Sequence, residues 1–124
     1  MKVLADTSIW IDHFRRSDAR LEAFLDRGDV VMHPFVIGEL LLGRVPGIAE
    51  MLDDFGRLPR AVVASTEEVL EFIARQNLPG SGIGYVDAHL LAAAALTPEA
   101  AVWTRDKRLL AAAQSLALDA KFLE

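Results

Sequence analysis

Apolar residues recur along this chain in two alternating rhythms. Short β-rich runs occupy residues 2–5, 30–33 and 101–104, with further candidate strands at 61–64 and 120–123. Between them apolar positions return every three or four residues, which predicts helices over 9–16, 19–27, 35–43, 48–57, 66–76, 85–96 and 107–116. The punctuation agrees with this division. Pro34 suits the first turn of a helix that follows a strand, Gly28 and Gly43 suit helix ends, and Ser65-Thr66-Glu67-Glu68 has the spacing of a capping box. Strands separated by helices imply an α/β fold with a parallel sheet covered on both faces. In such sheets ligands bind beyond the carboxyl ends of the strands, and Asp6 stands at one of those ends.

Composition narrows the class. The 124 residues show no internal repeat, low-complexity tract or long linker, so residues 1–124 are expected to form one domain. With 52% hydrophobic and 25% charged residues the chain is in the globular range. The absence of cysteine excludes a disulfide framework and a thiolate zinc site. The apolar run 3–5 is too short for a signal peptide and no run approaches a membrane span, so a soluble cytoplasmic protein with no membrane partner is expected. The formal charge of −5 argues against bulk electrostatic binding of nucleic acid. If a cation neutralises four of the carboxylates, however, only −1 remains, and local basic patches could still grip a nucleic acid.

Three acids are each the sole formal charge in a long apolar stretch. Asp6 is alone between Lys2 and Asp12, Glu39 is alone within PFVIGELLLG, and Asp87 is alone between Arg75 and Glu99. An ionised carboxylate in such surroundings costs several kcal/mol unless it is paired or bound to a cation. No Lys or Arg lies in these stretches, so a shared metal ion is the economical counter-charge. Asp106 stands where a strand turns into a helix, as Asp6 does; both could equally be helix caps. Ser8 and Thr104 offer hydroxyl or water-bridged ligands nearby. Oxygen donors of this kind select Mg²⁺ or Mn²⁺, and acids gathered around such ions suit metal-assisted phosphodiester hydrolysis.

These segments, Leu4-Ala5-Asp6-Thr7-Ser8, Val36-Ile37-Gly38-Glu39-Leu40-Leu41-Leu42-Gly43, Tyr85-Val86-Asp87-Ala88-His89-Leu90 and Thr104-Arg105-Asp106-Lys107-Arg108-Leu109, follow one another in an order that resembles PIN-domain ribonucleases of the VapC toxin type, essentially end to end. The resemblance implies a three-layer α/β/α sandwich around a short parallel sheet and endonucleolytic cleavage of RNA dependent on Mg²⁺ or Mn²⁺. It assigns Asp6, Glu39, Asp87 and Asp106 to the acidic catalytic and metal-binding quartet, with Thr7, Ser8 and Thr104 in supporting positions. It further implies a homodimer and a cognate VapB-type antitoxin, assembled with the toxin as a heterotetramer or larger complex. Trp10, Phe14, Leu21, Phe24 and Leu25 give the early helices more apolar surface than one sheet face needs; most of it is expected in the core, but the resemblance implies that these helices border the antitoxin groove, with Leu52 and Phe55 as similar candidates. The expected reaction is in-line attack of water on phosphorus, leaving a 5′-phosphate and a 3′-hydroxyl.

Other features are weighed against this reading. Arg105, Lys107 and Arg108 flank Asp106 and could touch substrate phosphates, as could Arg15 and Arg16, or they could simply be solvated. His13, His33 and His89 lie on three different elements, which disfavours a metal-free imidazole acid–base pair. The stretch Gly80-Ser81-Gly82-Ile83-Gly84 lacks a preceding strand and a P-loop lysine, and reads as a flexible loop at the mouth of the site. A haloacid-dehalogenase-like phosphatase also places Asp after its first strand, but would have a second Asp where Ser8 stands. A housekeeping PIN nuclease of RNA maturation, or a catalytically idle PIN binding module, would share the fold.

Overall fold

The computed structural model describes residues 1–43 and 45–121. Strand β1 (Lys2–Ala5) runs in the middle of a parallel sheet, between β2 (Val30–Val31) and β3 (Ala100–Trp103). Val3 stands opposite Val30 and Leu4 opposite Val31, while Lys2 to Ala5 pair in step with Ala100 to Trp103. A strand covered on both faces has no solvent side, which is why Val3, Leu4 and Ala5 form an unbroken apolar run, and all three are fully buried.

Single parallel bridges widen this sheet on both sides, Met32 to Arg60 and Val102 to Asp119. They also mark where expectation and structure part. The run 61–64 is not a strand. The Ala61 N–H donates to the Met32 carbonyl at 3.0 Å, but the next N–H, that of Val62, donates to the Thr97 hydroxyl at 2.8 Å, so the chain peels away from the sheet. The run 120–123 contributes a hydrogen bond from the Ala120 N–H to the Val102 carbonyl; residues 122 and 123 lie outside the described residues. The run 30–33 shortens because His33 leaves the strand to cap the next helix. The last run is shifted by one residue, to 100–103.

The helices are α1 (Thr7–Arg15), α2 (Ala19–Asp26), α3 (Pro34–Leu42), α4 (Leu52–Arg57), α5 (Thr66–Arg75), α6 (Tyr85–Leu96) and α7 (Lys107–Ser115). The expected helix 48–57 divides into a 3₁₀ turn, Ala49–Met51, followed by α4. Pro34 does open α3, where its missing N–H has no partner to lose. Ser65 and Glu68 form the reciprocal capping box at 3.1 and 2.9 Å. Gly28 follows α2 at φ +73°, a left-handed turn that brings the chain back into β2.

Alternation along β3 assigns the two sheet faces. Ala101 and Trp103 join the larger core, whereas Val102 packs with Leu91 and Ala94 of α6 and with Leu109 and Ala113 of α7. Trp10, Leu21 and Phe24 belong to the larger core, exposed by only 2, 0 and 8%. Their expected place on an open partner groove is therefore corrected: the sheet face between α1, α2 and β1 needs their volume. Phe55 is buried against the Trp10 ring at 5.3 Å. Of the residues proposed for the groove, Phe14 and Leu25 keep partial exposure and Leu52 is exposed.

Candidate active site

The carboxyl edge of the sheet gathers the acids because β1 and β3 both end there and hand over directly to helices. The Asp6 N–H still donates to the Trp103 carbonyl at 3.0 Å, so the last rung of the ladder ties the two strand ends together. Immediately beyond it, the side chains of Asp6 and Asp106 act as N-caps. Asp6 accepts from the Ile9 N–H, and Asp106 accepts from the Arg108 and Leu109 N–H groups, both at 2.9 Å. Capping thus fixes both carboxylates at adjacent helix origins, where the helix dipoles favour negative charge.

The Asp6 carboxylate is 6% exposed and held at both oxygens. Ser8 donates to Oδ1 at 2.5 Å and Thr104 donates to Oδ2. The Thr104 hydroxyl in turn accepts the Asp106 N–H at 3.0 Å, and the Ser8 hydroxyl accepts the Arg105 N–H at 3.2 Å. One hydroxyl pair therefore binds the end of β1 to the β3–α7 turn. Burial pushes the Asp6 carboxyl above its usual range, against these hydrogen bonds, which favour its ionised form.

Glu39 projects from α3 and accepts from the Thr7 hydroxyl at 2.9 Å, which connects it to the first residue of α1. It is exposed, contrary to what its apolar flanks suggest. Val36 and Leu40 alone of α3 are fully buried; Phe35, Leu41 and Leu42 reach solvent, so the apolar run does not enclose the acid. Asp87, in the first turn of α6, is half-buried. Burial raises its pKa, a hydrogen bond from the Gly84 backbone opposes the rise, and the carboxylates of Asp6, Asp106 and Glu39 raise it further. All four acids therefore share one field. Among the described residues, no three of these side chains converge closely enough to hold one ion together. The donor set nonetheless fits a hard divalent cation: four carboxylates and three hydroxyls, with no thiol.

The basic residues are distributed differently from the sequence expectation. Arg105 turns away from the acids, its guanidinium paired with Asp12 and with Asp18, the latter at 3.5 Å. Its guanidinium is thus engaged at the α1–α2 corner rather than free beside Asp106, although 47% of the side chain remains exposed. Lys107 and Arg108 are exposed at the start of α7, with the Arg108 side chain lying across Gly82. Arg15 and Arg16 line a cavity of 480 Å³ together with Asp12, Asp18 and Arg105.

Sequence reading missed Asp12 and Asp18 as anchors of Arg105, and missed that His33 and His89 meet. Their ring centroids are 6.4 Å apart. His33 is fully buried and accepts the Phe35 N–H through Nδ1; burial, then the nearby His89 and Arg60 charges, lower its pKa to about 4. Burial lowers His89 as well. His13 is elsewhere, accepting the Asp18 N–H. Enclosed neutral imidazoles are poorly placed for acid–base work on a polymer.

A parallel α/β sheet whose strand ends and two further helices bring four acids into one field is the architecture of a PIN domain. The chain belongs to the PIN domain family, whose sequence model matches residues 3–115. Among curated relatives it is 46% identical over 110 residues to Ribonuclease VapC32 of Mycobacterium tuberculosis, in strain CDC 1551 / Oshkosh and in strain ATCC 25618 / H37Rv, covering 89% of this chain and 89% of the relative. Among the described residues, no helix is long and apolar enough to cross a membrane.

Proposed function

We propose that this chain is a divalent-metal-dependent endoribonuclease acting as the toxin of a VapBC-type module in the cytoplasm. The observation that carries the proposal is the placement of the acids: Asp6 and Asp106 cap α1 and α7 at the adjacent ends of β1 and β3, Glu39 is tied to the start of α1 through the Thr7 hydroxyl, and Asp87 stands in the first turn of α6. The likeness to a VapC ribonuclease over nearly the whole chain supports it. Mg²⁺, or Mn²⁺ in its place, would supply an activated water and neutralise charge on the scissile phosphate.

The remaining roles belong to the chain itself. Asp6, Glu39, Asp87 and Asp106 would hold the cation, while Ser8 and Thr104 orient the Asp6 carboxylate and Thr7 orients that of Glu39 by hydrogen bonding. Lys107 and Arg108 lie where they can meet RNA phosphates. The partner is a VapB-type antitoxin. Ile11, Phe14 and Val45 line a groove beside Arg15 and Pro46 that suits an apolar antitoxin segment better than the buried Trp10, Leu21 and Phe24 do. A homodimer, and a heterotetramer or larger assembly with antitoxin, complete the proposal.

The test is cleavage of total cellular RNA by the purified chain with Mg²⁺ or Mn²⁺, with EDTA, and with Asp6→Asn alongside. Discrete fragments carrying 5′-phosphate and 3′-hydroxyl ends, lost with chelator and variant, are expected. Ends carrying a 2′,3′-cyclic phosphate would refute the mechanism, because they require the ribose hydroxyl as nucleophile. No cleavage by folded, antitoxin-free protein would favour the idle binding module.

A further inference from the structure

Two aromatic rings open to solvent begin the two helices that carry Glu39 and Asp87. Phe35, in the first turn of α3, is 36% exposed, and Tyr85, the first residue of α6, is 48% exposed. Between them stands His89, 4% exposed, with its ring centroid 4.7 Å from each. The Tyr85 ring is perpendicular to the imidazole and the Phe35 ring is inclined at 61°. His33 supports Phe35 from beneath at 4.9 Å. The row Phe35–His89–Tyr85 is thus a rigid ledge with a buried middle and two open ends.

Its position relative to the acids is set by helix geometry. Phe35 is one turn before Glu39 on the same face of α3, which places their Cβ atoms about 6 Å apart. Tyr85 shares the first turn of α6 with Asp87, but a two-residue offset turns its side chain about 200° around the helix from the carboxylate, so the ledge flanks the acids and does not face them through Tyr85. Polar contacts do not account for the ledge: among the described residues, buried His89 Nδ1 and His33 Nε2 have no hydrogen-bond partner, which costs stability. A flat imidazole between two rings gives each a face or edge to rest on, which an aliphatic side chain would not.

The electrostatics explain why a nuclease of this kind needs such a ledge. The chain carries −5, its acids repel phosphate until a cation arrives, and Arg105 is taken by Asp12 and Asp18. Affinity for a polyanion must then come partly from contacts that do not depend on charge. Unpaired nucleobases offer π-faces, and stacking on aromatic side chains tolerates any base.

We propose that Phe35 and Tyr85, braced by His89, form a stacking platform for a nucleobase of single-stranded RNA that flanks the acidic site. The proposal rests on the nuclease reading above and adds a specificity-determining contact to it. Its consequence is a preference for unpaired RNA at one nucleotide near the cut.

The test measures binding of a short fluorescein-labelled single-stranded RNA to the cleavage-dead chain, Asp6→Asn, with Glu39→Gln as a second background. Tyr85→Ala and Phe35→Ala should each weaken binding by roughly tenfold or more, and Tyr85→Trp should restore it. An abasic site stepped along the RNA should, at one position, weaken binding to the background chain and erase the deficit of Tyr85→Ala. In the active chain Tyr85→Ala should raise KM while kcat is largely kept. Unchanged RNA affinity in both folded alanine variants overturns the platform, as does a deficit that no abasic position erases, or a loss confined to binding of a partner protein. If the unmodified active chain neither binds nor cuts RNA in Mn²⁺, the nuclease reading itself has failed; cutting that persists at unchanged KM in both variants defeats the platform alone.

Discussion

Thr104→Val is the sharpest probe of how the site is held. The substitution keeps shape and volume while deleting one hydroxyl that serves two partners. It donates to Oδ2 of the buried Asp6, and it accepts the Asp106 N–H at 3.0 Å. Thr104 is 4% exposed, so water cannot easily replace either contact. A hydrogen bond to a charged group contributes about 1.5–3 kcal/mol and an ordinary one about 1 kcal/mol. The variant should therefore lose roughly 2–4 kcal/mol, a large part of the stability of a domain this size.

The pH dependence separates this account from a simple packing defect. The Thr104 hydroxyl lowers the Asp6 pKa by stabilising the ionised form, although burial keeps that pKa raised overall. Its charge-assisted contribution is present above the pKa of Asp6 and is lost as pH falls through it. Urea denaturation of the metal-free protein should show a wild-type to variant gap that is widest near neutral pH and narrows on acidification, with an unchanged m-value. Removing the hydroxyl also raises the Asp6 pKa further, so the acid limb of the cleavage pH profile should move to higher pH. A gap below about 0.5 kcal/mol, the scale of an ordinary surface substitution, or one that is flat with pH, would refute the shared-hydroxyl account.

Three further outcomes follow from the same geometry. Burial and the neighbouring carboxylates raise the Asp87 pKa above its unfolded value of 3.8, so the metal-free wild type should lose stability as pH rises through the elevated pKa; Asp87→Asn should melt about 4 °C higher at neutral pH, for roughly 1 kcal/mol of relieved like-charge repulsion, with the difference vanishing at low pH in thermal scans. Mn²⁺ should raise the melting temperature of the wild type in proportion to the logarithm of its excess over Kd, and should do so far less for Asp87→Asn. Arg105→Gln should lower stability by about 1 kcal/mol or less, because its ion pairs are partly exposed, and should leave the salt dependence of RNA binding unchanged; a slope reduced by about one unit would return Arg105 to the phosphate contacts.

The fold was legible where sequence and physical constraint coincide. A central parallel strand must be continuously apolar, and Val3-Leu4-Ala5 is; a capping box has fixed spacing, and Ser65 with Glu68 has it. The misses have one cause, which is that a side chain's neighbours across the fold cannot be read from its neighbours along the chain. Glu39 looked enclosed because PFVIGELLLG is apolar, yet α3 buries only part of its circumference and the acid faces outward. Trp10, Leu21 and Phe24 looked surplus to one sheet face, yet the bulky residues of α1 and α2 are what that face is packed with. Arg105 looked free because its partners Asp12 and Asp18 are 93 and 87 residues away, on a corner that only the tertiary structure brings beside it.

The acids at the strand ends were open to two readings, helix cap or metal ligand; the structure shows the caps, and a cap in this position is compatible with the ligand reading. A cap must sit where a strand stops and a helix begins, and in a parallel sheet every such point on one edge is also where a ligand site can form. Capping uses Oδ1 of Asp106 for the Arg108 and Leu109 N–H groups, and the same hydrogen bonds aim the carboxylate. It follows that alanine is a poor test of catalysis at Asp6 or Asp106, since it removes a cap contribution of about 1 kcal/mol along with the charge. Asparagine keeps a capping oxygen and deletes only the charge. If Asp106→Asn retains the melting temperature and loses cleavage while Asp106→Ala loses both, the two roles are separate properties of one well-placed carboxylate; if Asp106→Asn cleaves normally, its place in this chain is the cap alone.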